Sequence, residues 1–134
     1  MKEKLMALLK NSYSPYSKLA VACLIETKDN NLFAGVNIEN ASYKDGLCAE
    51  QNALAAVLTN GYKGQDIVAV NIMGNTEIIL KPCFLCRQLL SELLDSNCQV
   101  NCYNINGQIS KFTVKDLCPF PFGEEDLPGG KDEE

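Results

Sequence analysis

The apolar positions of this chain change period several times, and each change predicts an element. Leu5, Met6, Leu8 and Leu9 recur at helical spacing within residues 2–11, and Ser14-Pro15 breaks that helix. Residues 19–27 (LAVACLIET) form a near-continuous apolar run, the pattern of a central strand. Turn residues at 28–31 and a return run at 32–37 predict a hairpin. A polar loop over 38–46 leads into a helix over 48–58, rich in Ala and Leu and stopped by Asn60-Gly61. Residues 66–74 (DIVAVNIMG) read as a third strand. Pro82 opens a helix running to about Asp95, with Leu85, Leu89, Leu90, Leu93 and Leu94 at helical intervals. Two further strands, 99–105 and 108–114, flank Asn106-Gly107, a strong hairpin turn signal. Helices between strands imply crossover units on a mixed five-stranded sheet, a three-layer α/β/α domain.

At 134 residues the chain is one domain, long enough to bury a core without staples. Its charge of −5 is unevenly placed. Residues 124–134 hold six of the seventeen acids and one of the twelve bases, so the body carries eleven of each and is neutral. The division predicted is a body over 1–123 and an acidic, solvated tail over 124–134. Lysines are scattered and Arg87 is the only arginine, which argues against nucleic-acid binding. No apolar signal core or membrane-length run occurs, so a cytoplasmic protein with reduced thiols is expected.

The chain has no histidine, which excludes Ser-His-Asp triads, Cys-His pairs, HExxH zinc sites and imidazole acid–base chemistry. It has seven cysteines, an odd number that fits a closed disulfide framework poorly. Cys83 and Cys86 fall in the first turn of one predicted helix, and Cys48-Ala49-Glu50 opens another. Helix N-termini carry exposed N–H groups and about half a positive charge, which favours thiolates. Three thiolates from two helix tips make a zinc site with its fourth position open to water. Glu50, two residues from Cys48, shares the centre only if Cys48 sits at the very tip, and it then stands as a proton carrier beside metal-bound water rather than as a ligand. C-x-x-C alone fits a redox pair equally well, but that role leaves Cys48 and Glu50 unexplained. Cys23, Cys98, Cys102 and Cys118 match small apolar residues in strands or turns.

Pro-Cys-x-x-Cys at one helix start, preceded by C-A-E at another, is the zinc deaminase pattern. With Tyr13–Val21 (YSPYSKLAV), Gly35–Ser42 (GVNIENAS), Pro82–Leu89 (PCFLCRQL) and Leu117–Leu127, it makes the chain resemble the small, homotetrameric, zinc-dependent cytidine deaminases of nucleoside salvage. The resemblance implies Zn²⁺ on Cys48, Cys83 and Cys86, and Glu50 as the proton carrier in water attack at C4 of cytidine or 2′-deoxycytidine. It further implies Asn37 and Glu39 on the sugar hydroxyl, Ala49 backbone atoms on the base, and Phe122 closing a neighbouring subunit's pocket.

Three departures from that pattern stand out. Leu19 replaces a phenylalanine that packs on the base, and Phe84-Leu85 replaces a small pair between the cysteines, where a ring is expected to crowd the site. Gln51 replaces an arginine, leaving Arg87 as the nearby cation to offset the thiolates. Two other readings compete: a structural zinc domain or inactive interaction module, and a deaminase of another aminopyrimidine nucleoside. Glu50 argues against the first, and the sugar-reading pair against the second.

Overall fold

The computed structural model describes residues 1–129, so the end of the acidic tail lies outside the described residues. Strands β1 (Val21–Thr27), β2 (Leu32–Val36), β3 (Ile67–Gly74), β4 (Gln99–Tyr103) and β5 (Ile109–Thr113) form one sheet in the order β2-β1-β3-β4-β5. β1 pairs antiparallel with β2 and β3, β3 and β4 run parallel, and β4 and β5 form an antiparallel hairpin. The helices are α1 (Lys2–Leu9), α2 (Ala49–Thr59), α3 (Phe84–Leu93) and a short α4 (Val114–Leu117). The mixed five-stranded sheet expected from the sequence is present.

Strand periodicity divides the core into two layers. Ala22, Leu24 and Met73 pack with Leu5 and Leu9 of α1 on one face. The alternate residues Cys23, Ile25, Val70 and Ile72 meet Ala53, Leu54 and Val57 of α2 and Leu90 of α3 on the other. Each fully buried Leu or Ile contributes about 1.5–3 kcal/mol relative to exposure. Gly35 matters most for the site. A Cβ there would meet the Ala49 carbonyl oxygen at 2.3 Å and the Ala53 nitrogen at 2.5 Å. Bare backbone on β2 thus lets the first turns of α2 lie directly against the strand.

Several boundaries differ from expectation, each for a local reason. Leu19 and Ala20 precede β1, because their backbone groups bond to side chains instead of a ladder. The Leu19 carbonyl accepts from Asn37 Nδ2 at 2.8 Å, and the Ala20 N–H donates to Asn75 Oδ1 at 3.2 Å. β4 stops at Tyr103, where Asn104 Oδ1 accepts from the Asn106 and Gln108 amides and folds the turn. Val114 belongs to α4 instead of a strand. Thr113 Oγ1 accepts from the Asp116 amide at 3.2 Å while Asp116 Oδ2 accepts from the Thr113 amide at 2.9 Å, a reciprocal cap that starts a helix. Pro82 lies one residue before the cap of α3, whose cap is Cys83.

Candidate active site

Cys48 is the N-cap of α2 and Cys83 the N-cap of α3. Each has extended backbone, so its side chain leaves the helix tip rather than joining a helical face. Cys86 is buried in the first turn of α3. The three Sγ atoms lie within 4.8 Å of one another, and Cys48 and Cys83 are 3.8 Å apart. Tetrahedral zinc with bonds of about 2.3 Å separates its sulfurs by about 3.8 Å, so the donor set and its spacing fit that ion. Burial pushes the Cys48 thiol up to about 11, and burial with the adjacent Glu50 carboxyl pushes Cys86 up as well. A divalent cation and two helix N-termini are the charges that hold such crowded sulfurs as thiolates.

Glu50 is the second residue of α2 and only 4% exposed. Burial raises its carboxyl above the ordinary carboxylate range, offset in part by hydrogen bonds from its own N–H and from Cys86. With Cys48 at the tip, the i, i+2 pair reaches one centre. Above it opens a pocket of about 720 Å³, walled by Leu19, Asn37, Glu39, Cys48, Ala49, Glu50, Cys83 and Leu85 among others.

The polar residues of that pocket also build its walls. Asn37 Oδ1 accepts from the Val21 amide at 2.9 Å and from Ser12 Oγ, while Nδ2 donates to the Leu19 carbonyl, leaving one amide hydrogen uncommitted by these bonds. Glu39 Oε1 accepts from the Tyr16 and Ser17 amides at 3.0 and 3.1 Å, and Oε2 accepts from Ser17 Oγ. The Ser17 hydroxyl leads in holding the Glu39 carboxyl below its usual range.

Other expected residues lie further out. Phe84 does not crowd the thiols. It is 71% exposed and carries the Arg87 guanidinium 4.3 Å above its ring, whereas Leu85 lines the pocket. Phe122 lies away from its own chain's pocket, in a groove with Phe84, Leu117 and Phe120. Arg87 donates to the Pro82 carbonyl at 2.7 Å and the Leu117 carbonyl at 3.0 Å. Gln51 Oε1 accepts from the Cys48 amide at 2.8 Å. Sequence reasoning passed over Tyr16 and Tyr43, whose rings meet 5.9 Å apart at the pocket mouth. Tyr43, an exposed aromatic inside an otherwise polar loop, was the available signal.

A three-thiol centre at two helix tips, with a buried carboxyl beside it and a pocket above, defines a zinc-dependent hydrolytic domain. The family model "Cytidine and deoxycytidylate deaminase zinc-binding region" matches residues 1–102, and the chain belongs to that family. It is 37% identical over 116 residues to a cytidine deaminase of Halalkalibacterium halodurans, covering 87% of this chain and 86% of that one. The crystal structure of cytidine deaminase from Burkholderia pseudomallei superposes with a TM-score of 0.85 at 35% identity, over 90% of this chain and 94% of that one. A blasticidin-S deaminase of Bacillus cereus is 31% identical over 112 residues, 79% of each chain.

Proposed function

We propose that this chain catalyses the hydrolytic deamination of cytidine and 2′-deoxycytidine to uridine and 2′-deoxyuridine, releasing ammonia, in pyrimidine salvage. The carrying observation is Glu50, a buried carboxyl beside three clustered thiols at the floor of the pocket. A structural zinc site is closed by four ligands and gains nothing from such a group, whose burial costs stability. Cys48, Cys83 and Cys86 would hold zinc, which would supply Lewis-acid activation of the attacking water at neutral pH. Glu50 takes one proton from the attacking water and passes it to the pyrimidine N3. It then takes the second from the new C4 hydroxyl and gives it to the amine, so that the C4 carbonyl forms as the C4–N bond breaks and ammonia leaves.

Asn37 has an amide hydrogen to offer a sugar hydroxyl, and Glu39, held ionised by Ser17 and two amides, accepts from one. Ala49 backbone atoms hold the base, and Leu19 gives it an apolar wall. The catalytic unit is 1–123, with 124–134 an appendage. The working form is a homotetramer in which Phe122 closes a neighbour's pocket. Phe122 is 57% exposed and does not line its own chain's pocket, whose mouth exposes Tyr16, Tyr43 and Leu85; these support that assembly. No helix among the described residues is long and apolar enough to cross a membrane. All seven cysteines are free, which suits a reducing cytoplasm.

The likeness to a blasticidin-S deaminase supports one other reading, an aminopyrimidine nucleoside antibiotic as substrate. Following the ultraviolet change on amine loss separates the two. Cytidine and 2′-deoxycytidine are expected to turn over far faster than free cytosine or blasticidin S. Preference for the antibiotic would replace the salvage assignment.

A further inference from the structure

The two N-cap cysteines share a feature that the third cysteine lacks. Each stands immediately after a peptide unit gripped by a side chain from the same helix. At α2 the N–H of the Leu47–Cys48 peptide donates to Gln51 Oε1 at 2.8 Å. At α3 the carbonyl of the Pro82–Cys83 peptide accepts from Arg87 Nε at 2.7 Å, and Arg87 Nη1 donates to Leu117 at 3.0 Å. Both gripping residues are half-buried. Cys86 stands on no such cap, because it lies within the first turn of α3.

We propose that Gln51 and Arg87 are a matched pair of positioning residues, each fixing the peptide on which a metal-binding N-cap cysteine stands, and that neither serves chiefly to neutralise the thiolates. The contacts carry this directly. The Arg87 guanidinium is committed to two backbone carbonyls and the face of Phe84, and Gln51 is uncharged and presents an acceptor to a backbone amide. An N-cap residue has torsional freedom that a helical residue lacks, so its Cβ direction depends on what holds the preceding peptide. A metal centre built on two caps therefore needs both caps fixed before the ion arrives. Outer partners of this kind typically change metal affinity by about 10- to 100-fold when removed.

The proposal rests on zinc occupying the three-cysteine site, and wild-type protein lacking one zinc per chain would defeat that reading before any variant is compared. Given zinc-loaded enzyme, the measurement is the rate of zinc release to a chromophoric chelator, with the ligand-field spectrum of the cobalt-substituted protein alongside. Gln51→Glu keeps an acceptor and adds negative charge. Gln51→Met keeps the length without an acceptor, and Gln51→Arg adds positive charge but cannot accept. Positioning predicts release near the wild-type rate for Glu and about 10- to 100-fold faster for Met and Arg, with cobalt bands altered only in those two. Charge neutralisation predicts the reverse, with Arg slowest and Glu fastest. Release from Gln51→Arg at or below the wild-type rate, or four equal rates, would overturn the proposal. Should Gln51→Met not fold by circular dichroism, Arg87→Lys makes the same comparison on α3. It keeps the charge and loses the guanidinium fork, so faster release is expected and an unchanged rate refutes.

Discussion

Glu39 has two tasks whose separation can be measured. It anchors the Tyr16-Ser17 turn through both amides, and it lines the pocket. A hydrogen bond involving a charged group is worth about 1.5–3 kcal/mol, so Glu39→Ala should lower kcat/KM for cytidine by about 10- to 100-fold. Free cytosine has no sugar to lose and should change far less. The test is therefore the cytidine-to-cytosine ratio, and an unchanged ratio would mean that Glu39 only anchors the turn. At this scale the sequence is informative wherever chemistry needs a particular atom. That Cys48, Cys83 and Cys86 come together beside Glu50 is legible, because two helix starts place those residue types at one end of the sheet. Gln51 and Arg87 were visible only as charges present or missing. Their backbone contacts depend on side-chain direction, which spacing does not carry.

Close packing of α2 on β2 links the fold to the metal centre. Gly35→Ala would drive a Cβ into the Ala49 carbonyl and the Ala53 nitrogen, both backbone atoms of α2. Overpacking of this kind costs about 1–3 kcal/mol, and here it should lift the tip that carries Cys48. Reduced zinc retention together with a lower thermal midpoint is the expected result, and a variant matching wild type in both would contradict it. A second element-level device joins the β1–β2 turn to the loop after α2. Tyr62 OH donates to Asp29 Oδ2 at 2.6 Å, and Thr27 Oγ1 donates to Oδ1. These bonds, Thr27 first, hold the Asp29 carboxyl below its usual value. A depressed carboxylate lends stability above its unfolded pKa and surrenders it as pH falls through the folded one. Tyr62→Phe should thus raise the Asp29 pKa part of the way back, as read by carboxyl NMR titration, and an unmoved titration would show that Tyr62 has no part in setting it. Long periodic runs made the strands and helices legible. Their ends were not, since side chains of Asn37, Asn75 and Asn104 compete for backbone that the hydrophobic pattern assigns to a ladder. The start of α4 goes unread, because the apolar run over 108–114 reads as a strand although T-V-K-D over 113–116 carries a cap signature.

On the scale of the whole molecule, the two crossovers bring α2 and α3 to one end of the sheet, where a nucleoside-sized opening exposes Tyr16, Tyr43 and Leu85. The proposed tetramer covers that mouth. Phe122→Ala should leave zinc content unchanged and raise KM for cytidine, and sedimentation of the wild type should show an oligomer. A fully active monomer would contradict the shared-pocket account. Neither the proposed role of Phe122 nor the proposed assembly can be read from periodicity, because an exposed aromatic near a chain's end looks the same whether it covers its own core or a neighbour's. The central claim is that three cysteines hold the ion and Glu50 moves the protons. It is tested most directly by the cytidine deamination rate of Glu50→Ala at matched zinc content. Expected are one zinc per chain, a wild-type melting profile and a rate at least about 10²–10⁴-fold lower. A variant that deaminates cytidine at most of the wild-type rate, or that loses its zinc, would contradict it.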